Sequence, residues 1–280
     1  MKFKTVYVLF NAVILLSFAF IFFLPLLMLG PDYFSVFVSR NWIAGVLFLG
    51  TLLIVNLYFL RNWRLFQSLE REDWPAVIQL LEQRVFVRRR LARNNVKMLV
   101  NAYLITSKLD EILRLSAFVE ENRSGLMKRF ALPFGIPYLL RDDPAAAERF
   151  FGRFQEVEGA ADRNWLAWNY AFALLQQKQI DAARAALIEV LDRRPEPVLQ
   201  LLTLYMLDSA VREDEQVAER IRAGRAELTR RYSPEAWRRT VDSGGRNMEV
   251  VLLSPIVRDA SAWLFPGPGA GERQGPESVH

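Results

Sequence analysis

The chain has 280 residues, a formal net charge of +5, a hydrophobic fraction of 52%, no cysteine and one histidine. That length accommodates one or two domains with a sizeable core. The absence of cysteine excludes disulfides and thiol chemistry, and a lone His280 at the terminus excludes an imidazole base or a Cys/His metal cluster. No phosphate-binding glycine loop, dinucleotide fingerprint or G-x-S-x-G turn occurs, so the sequence points away from an enzyme and implies no cofactor.

Two uncharged apolar runs come first. From Val6 to Leu29 a helix would reach about 36 Å, against a hydrocarbon core of about 30 Å, and from Trp42 to Leu60 it would cover about 28 Å. These lengths predict a membrane anchor over residues 1–60, a two-helix transmembrane hairpin with spans at 6–29 and 42–60 and the loop "GPDYFSVFVSRN" between them. The first run is longer than a signal-peptide core and lacks an A-x-A-like cleavage site, which favours an uncleaved span.

Lys2, Lys4, Arg61, Arg64 and Arg71 flank the two spans, whereas the loop sets Arg40 against Asp32. The positive-inside rule then puts both termini in the cytoplasm of a multi-pass inner-membrane protein. Trp42, Tyr58 and Trp63 suit the interfacial belts. Asn11, Ser17 and Asn56 read as isolated polar residues of an anchor, not as an ion path.

Through most of the remaining chain Arg is mixed with Asp and Glu, which argues against nucleic acid as a partner. The exception is "RVFVRRRLAR", with Arg84, Arg88, Arg89, Arg90 and Arg93. It has two readings of equal weight, a lipid-facing basic patch on anionic headgroups or a solvated connection between helices.

From Arg61 onward the pattern repeats. In "QIDAARAALIEVLDRRP", Ile180, Ala183, Leu187 and Val190 mark one apolar helix face. The same template fits with Val77, Ile112, Ala147 and Ala218 in the place of Ala183, at intervals of 35, 35, 36 and 35 residues. A second apolar helix precedes these closing helices in several units, so residues 61–231 predict about five helix pairs stacked because no pair buries both faces alone. Asp143-Pro144 supplies a helix cap and first-turn proline, which is a better account of Asp142 and Asp143 than a catalytic carboxylate pair. "SPEAWRRTV" opens capping helices over 232–265, broken at Pro255, and residues 266–280 are too polar to pack and predict disorder.

This part of the chain resembles the tetratricopeptide repeat family, whose units are two antiparallel helices in about 34 residues. Residues Asp162 to Pro195 match best, through Ala171, Ala183, Leu187 and Pro195, and Gly135 and Tyr138 match the family's Gly and Tyr. Val77 and Ile112 depart from the small residue, and Pro133 and Pro137 should break or kink the third opening helix.

The resemblance implies an all-α fold, the hairpin followed by a TPR-like α-solenoid of antiparallel helix pairs whose opening helices line a concave groove for a protein or peptide partner. It places Lys97 and Asn101 on that wall, like part of a carboxylate clamp, with Arg129 facing the same groove. The clamp's next Asn falls at Pro133. Trp165, Trp168 and Phe172 form a stripe with two readings, anchors for an apolar partner or core packing. The implied function is a membrane-anchored scaffold or adaptor mediating protein–protein interaction. The alternative is a structural subunit of a cell-envelope machine such as a secretion or flagellar-motor assembly. Partner, oligomeric state and pathway stay open.

Overall fold

The computed structural model describes residues 3–210, 214–244 and 248–266, and every regular element among them is helical. The chain divides into two compact units, Met1–Lys108 and Leu109–His280.

The first unit begins with α1 (Phe3–Leu29) and α2 (Pro31–Glu70), separated by Gly30 alone, whose φ of 82° lies where only glycine is at ease. The expected loop is therefore a correction. Residues 31–41 are helical, because Phe34 and Phe37 fall one turn apart and pack on Phe22 while Asp32, Ser35, Ser39 and Arg40 stay exposed. A short amphipathic run beside Gly-Pro looks like a turn in sequence, but packing against a neighbour makes it helix.

Tyr7 meets Phe59 and Trp63, Phe18 stacks on Phe48 at 4.2 Å, and Phe22 meets Phe37, so the two helices run antiparallel. Both are long and apolar enough to cross a membrane, and 0% and 6% of their most apolar windows are buried in the fold. Leu16, Leu27 and Met28 stand 70%, 73% and 75% exposed, so the fold leaves these apolar side chains without protein neighbours.

Glu70 ends α2 ten residues past the apolar run, and the chain reverses into α3 (Trp74–Glu82), capped by Asp73, whose carboxylate accepts from Ala76 N–H at 3.1 Å. Val77, Ile78 and Leu81 bury the inner face of α3, each worth about 1.5–3 kcal/mol. A π-helical turn at Gln83–Val87 widens the last turn before the loop that leads to α4 (Arg93–Ile105).

The second unit comprises α5 (Leu109–Arg123), α6 (Met127–Leu140), α7 (Pro144–Gln155), α8 (Arg163–Gln176), α9 (Ile180–Asp192), α10 (Pro197–Ala210), α11 (Glu215–Arg231), α12 (Pro234–Gly244), α13 (Met248–Leu252) and α14 (Ser254–Leu264). From α5 to α11 each helix packs on the next, and α6 also touches α8 and α8 touches α10. Side-chain pairings show opposed directions: Gly152 lies under Tyr170 while Glu148 meets Gln177, and Gly224 lies under Leu204 while Gln200 meets Glu227. Alternate helices are also tied, α5 to α7 by Glu120 and Arg153 and α9 to α11 by Asp192 and Arg220 at 3.0 Å.

Pro133 and Pro137 do not break α6, contrary to expectation. Each removes one ladder hydrogen bond, but Phe130, Ala131, Phe134, Gly135 and Ile136 are buried around them, and that packing outweighs the loss. Of the expected small-face positions, Val77, Ile112, Ala147 and Ala183 are buried, whereas Ala218 is only half-buried and Val217 takes the buried place at 3% exposure.

Ser233 caps α12 through Ala236 N–H at 3.2 Å, and Pro255 opens α14 in place of interrupting a longer helix. α14 lies on α10, where Trp263 donates to Asp208 at 2.9 Å. The expected tail falls outside the described residues from 267 onward, as does Asn247.

Candidate functional site

One local structure recurs. Glu72, Ser107, Asp142 and Lys178, at intervals of 35, 35 and 36 residues, adopt positive φ between 53° and 60° just past α2, α4, α6 and α8. After each, the next N–H reaches back five residues: Asp73 to Ser68, Lys108 to Tyr103, Asp143 to Tyr138 and Gln179 to Leu174, at 2.8–3.2 Å. This is the Schellman closure, and here it uses four different side chains where glycine is usual. Asp73, Asp143 and Asp214 then cap α3, α7 and α11. Sequence inspection missed the motif because none of its left-handed positions is Gly or Asn. Asp143 is thus held as a cap, accepting from Ala146 N–H at 3.0 Å.

The partner-binding candidates separate. Lys97 and Asn101 lie on α4, exposed and half-buried, in the first unit; Arg129 is exposed on α6 in the second. Pro133 is half-buried within α6. Trp165 and Trp168 are a correction: at 5% and 0% exposure they belong to the core, and only Phe172, half-buried and stacked on Trp168 at 5.3 Å, reaches the surface. Their stripe faces inward because Trp165, Leu166, Ala167 and Trp168 are all buried, so α8 has neighbours nearly all round.

The basic segment is better defined. Arg88, Arg89, Arg90 and Arg93 are exposed, while Arg84 is half-buried and donates to Asn62 Oδ1 at 2.9 Å. Burial first, then Arg88, Arg61 and Arg90, lower the Arg84 pKa from its usual value. Among the described residues no carboxylate forms an ion pair with Arg84, Arg88, Arg89 or Arg90, and Glu82 is engaged by Tyr103 Oη at 2.7 Å. Arg61 and Asn62 join this group only through the fold, and Val87, within the segment itself, is 75% exposed.

Between the spans Asn11 and Asn56, read as isolated, pair at 2.8 Å, and Tyr7 Oη donates to Asn56 Oδ1. A cavity of about 550 Å³, lined by Trp237, Val241, Val250 and Val257, lies among α12, α13 and α14. No group of three or more His, Cys, Asp or Glu suited to a metal ion occurs among the described residues.

Helical elements throughout and two long apolar helices at the N-terminus define an all-α protein with a candidate membrane anchor. The chain belongs to the family described as "Uncharacterised Treponema protein", whose model matches residues 111–266. It is also 29% identical over 281 residues to an "Uncharacterized protein" of Treponema pallidum (strain Nichols), an alignment spanning 95% of this chain and 88% of that relative. That alignment extends well beyond the family-matched segment into the apolar helices.

Proposed function

We propose that the protein is a membrane-anchored scaffold or adaptor. The hairpin crosses a bacterial-type inner membrane with both termini on the cytoplasmic side. The TPR-like helix pairs offer a groove to a protein or peptide partner, and in the first unit Lys97 and Asn101, one turn apart on α4, supply its polar contacts. The observation that carries the proposal is the recurrence of one Schellman turn at Glu72, Ser107, Asp142 and Lys178. A near-constant spacing of identical turns is what stacked helix pairs require. Ion pairs between alternate helices, Glu120 with Arg153 and Asp192 with Arg220, support the same stacking. Tethering raises the domain's effective concentration toward partners at the same surface.

Crosslinking of the full-length protein in cells, followed by mass spectrometry, tests the proposal. An exchangeable partner whose yield falls in Lys97→Glu/Asn101→Asp supports an adaptor. Recovery only in a large complex of fixed stoichiometry identifies a structural subunit of an envelope machine, and no crosslinked partner refutes both. Because the chain has no cysteine, single cysteines at Ser35 and Ser243 test the topology. The first should react with a membrane-impermeant reagent from the non-cytoplasmic side and the second should not; the reverse pattern inverts the orientation.

A further inference from the structure

Ten residues separate Leu60, the end of the apolar run, from Glu70, the end of α2, a rise of about 15 Å. α3 then runs back along α2 for nine residues, about the same length, and delivers Gln83–Val87 to the level at which α2 leaves its apolar stretch. The bond from Arg84 to Asn62 Oδ1 fixes this return, since Asn62 stands two residues past Leu60. α2 is unbroken from Pro31 to Glu70, so the depth of the spans sets the depth of the loop. Arg61 and Arg64 are exposed at this end, Lys4 lies one turn before Tyr7, which touches Trp63, and the acidic Glu70, Glu72 and Asp73 lie at the far end of the α2–α3 pair. Val87 is 75% exposed and is followed directly by exposed Arg88, Arg89 and Arg90.

We propose that this loop is a second membrane contact, specific for anionic phospholipid: Arg61, Arg88, Arg89 and Arg90 engage headgroup phosphates, Arg84 braces the loop on Asn62, and Val87 enters the upper acyl region. The proposal rests on the hairpin being embedded, as above. An apolar side chain beside unpaired cations at the end of a lipid-exposed helix has the chemistry of an interfacial anchor, not of a solvated connection. Val85, two residues earlier and so on the opposite side of the same turn, is 0% exposed and holds the turn to the core while Val87 points away from it.

The test uses the full-length protein in nanodiscs, with Val87→Cys carrying an environment-sensitive fluorophore; the absence of native cysteine makes the label unique. In phosphatidylcholine containing about 30% phosphatidylglycerol the emission should shift to the blue, and quenching by neutral acrylamide should be severalfold weaker than in phosphatidylcholine alone. Salt at about 1 M, where the Debye length is about 3 Å, should reverse both effects. Arg88→Gln/Arg89→Gln/Arg90→Gln should abolish them while the circular dichroism spectrum stays helical. Equal emission in the two lipids, or a lipid response that survives in the triple variant, overturns the proposal. A blue shift produced by inorganic phosphate in pure phosphatidylcholine assigns the arginines to a free anion and overturns it also. Release of the chain from membranes at alkaline pH refutes the anchor, whereas retention without a lipid effect refutes the loop alone.

Discussion

Gly135→Ala probes a close contact between α6 and α7. A Cβ built on Gly135 falls nearer than 3.0 Å to two ring atoms of Phe151 and 3.2 Å from Phe150 Cε1. Phe151 is 0% exposed, so its ring has no solvent to move into and α6 and α7 must separate or repack. Overpacking of this kind costs about 3 kcal/mol at the upper end of its range, and the better helix propensity of Ala returns about 1 kcal/mol, leaving about 2 kcal/mol of destabilisation. For a cooperative unit of this size that lowers Tm by about 4–8 °C.

Thermal unfolding of the detergent-solubilised full chain, followed by circular dichroism, reads the change. Two further substitutions grade it. Gly224→Ala meets both Leu204 methyl carbons at 2.9 Å, a flexible end that yields more readily, and should cost less; Gly125→Ala meets nothing within 4 Å and should leave Tm unchanged or slightly raised. Gly135→Ala/Phe151→Leu should recover part of the loss. A Gly135→Ala protein as stable as Gly125→Ala would refute the close approach of α6 and α7.

Trp168→Ala should destabilise by about 3–5 kcal/mol, since the ring is fully buried; loss of partner crosslinking with unchanged Tm would return it to the surface. Asp143→Ala should cost about 1 kcal/mol by removing the cap on Ala146 N–H, and Asp143→Asn should restore most of it, both read as Tm. The Tyr138 hydroxyl titrates above its usual value, chiefly through burial. The folded state therefore resists its ionisation, and the stability tied to the neutral phenol is complete below about pH 10 and declines as pH rises through the folded pKa. Tyr138→Phe should flatten that alkaline decline in denaturant titrations at successive pH values, and an unchanged slope would contradict the shift.

The apolar helices, the helix-pair period and the helix starts were legible in sequence because each depends on local composition: uncharged runs, three- and four-residue apolar spacing, and Asp or Ser before Pro. Val77, Ile112, Ala147 and Ala183 are buried where periodicity placed them. The candidate site was less legible. Trp165 and Trp168 fitted either a groove or a core by spacing alone, and only their neighbours decide which. The loop at 30–41 and the expected break at Pro133 failed for the same reason, since packing against Phe22 in one case and the buried face of α6 in the other overrides a local turn or breaker signal.

Sequence alone determined that the chain begins with two apolar helices and continues in helices recurring about every 35 residues, because hydrophobicity and its period are properties of neighbours along the chain. Tertiary structure decided which cations share a site. Arg84 meets Asn62, 22 residues away, because α3 retraces the end of α2, and that length match depends on where two helices stop and how they pack. Four turns built on Glu, Ser, Asp and Lys carry no common letter, yet they adopt one backbone shape because the helices they join demand the same reversal.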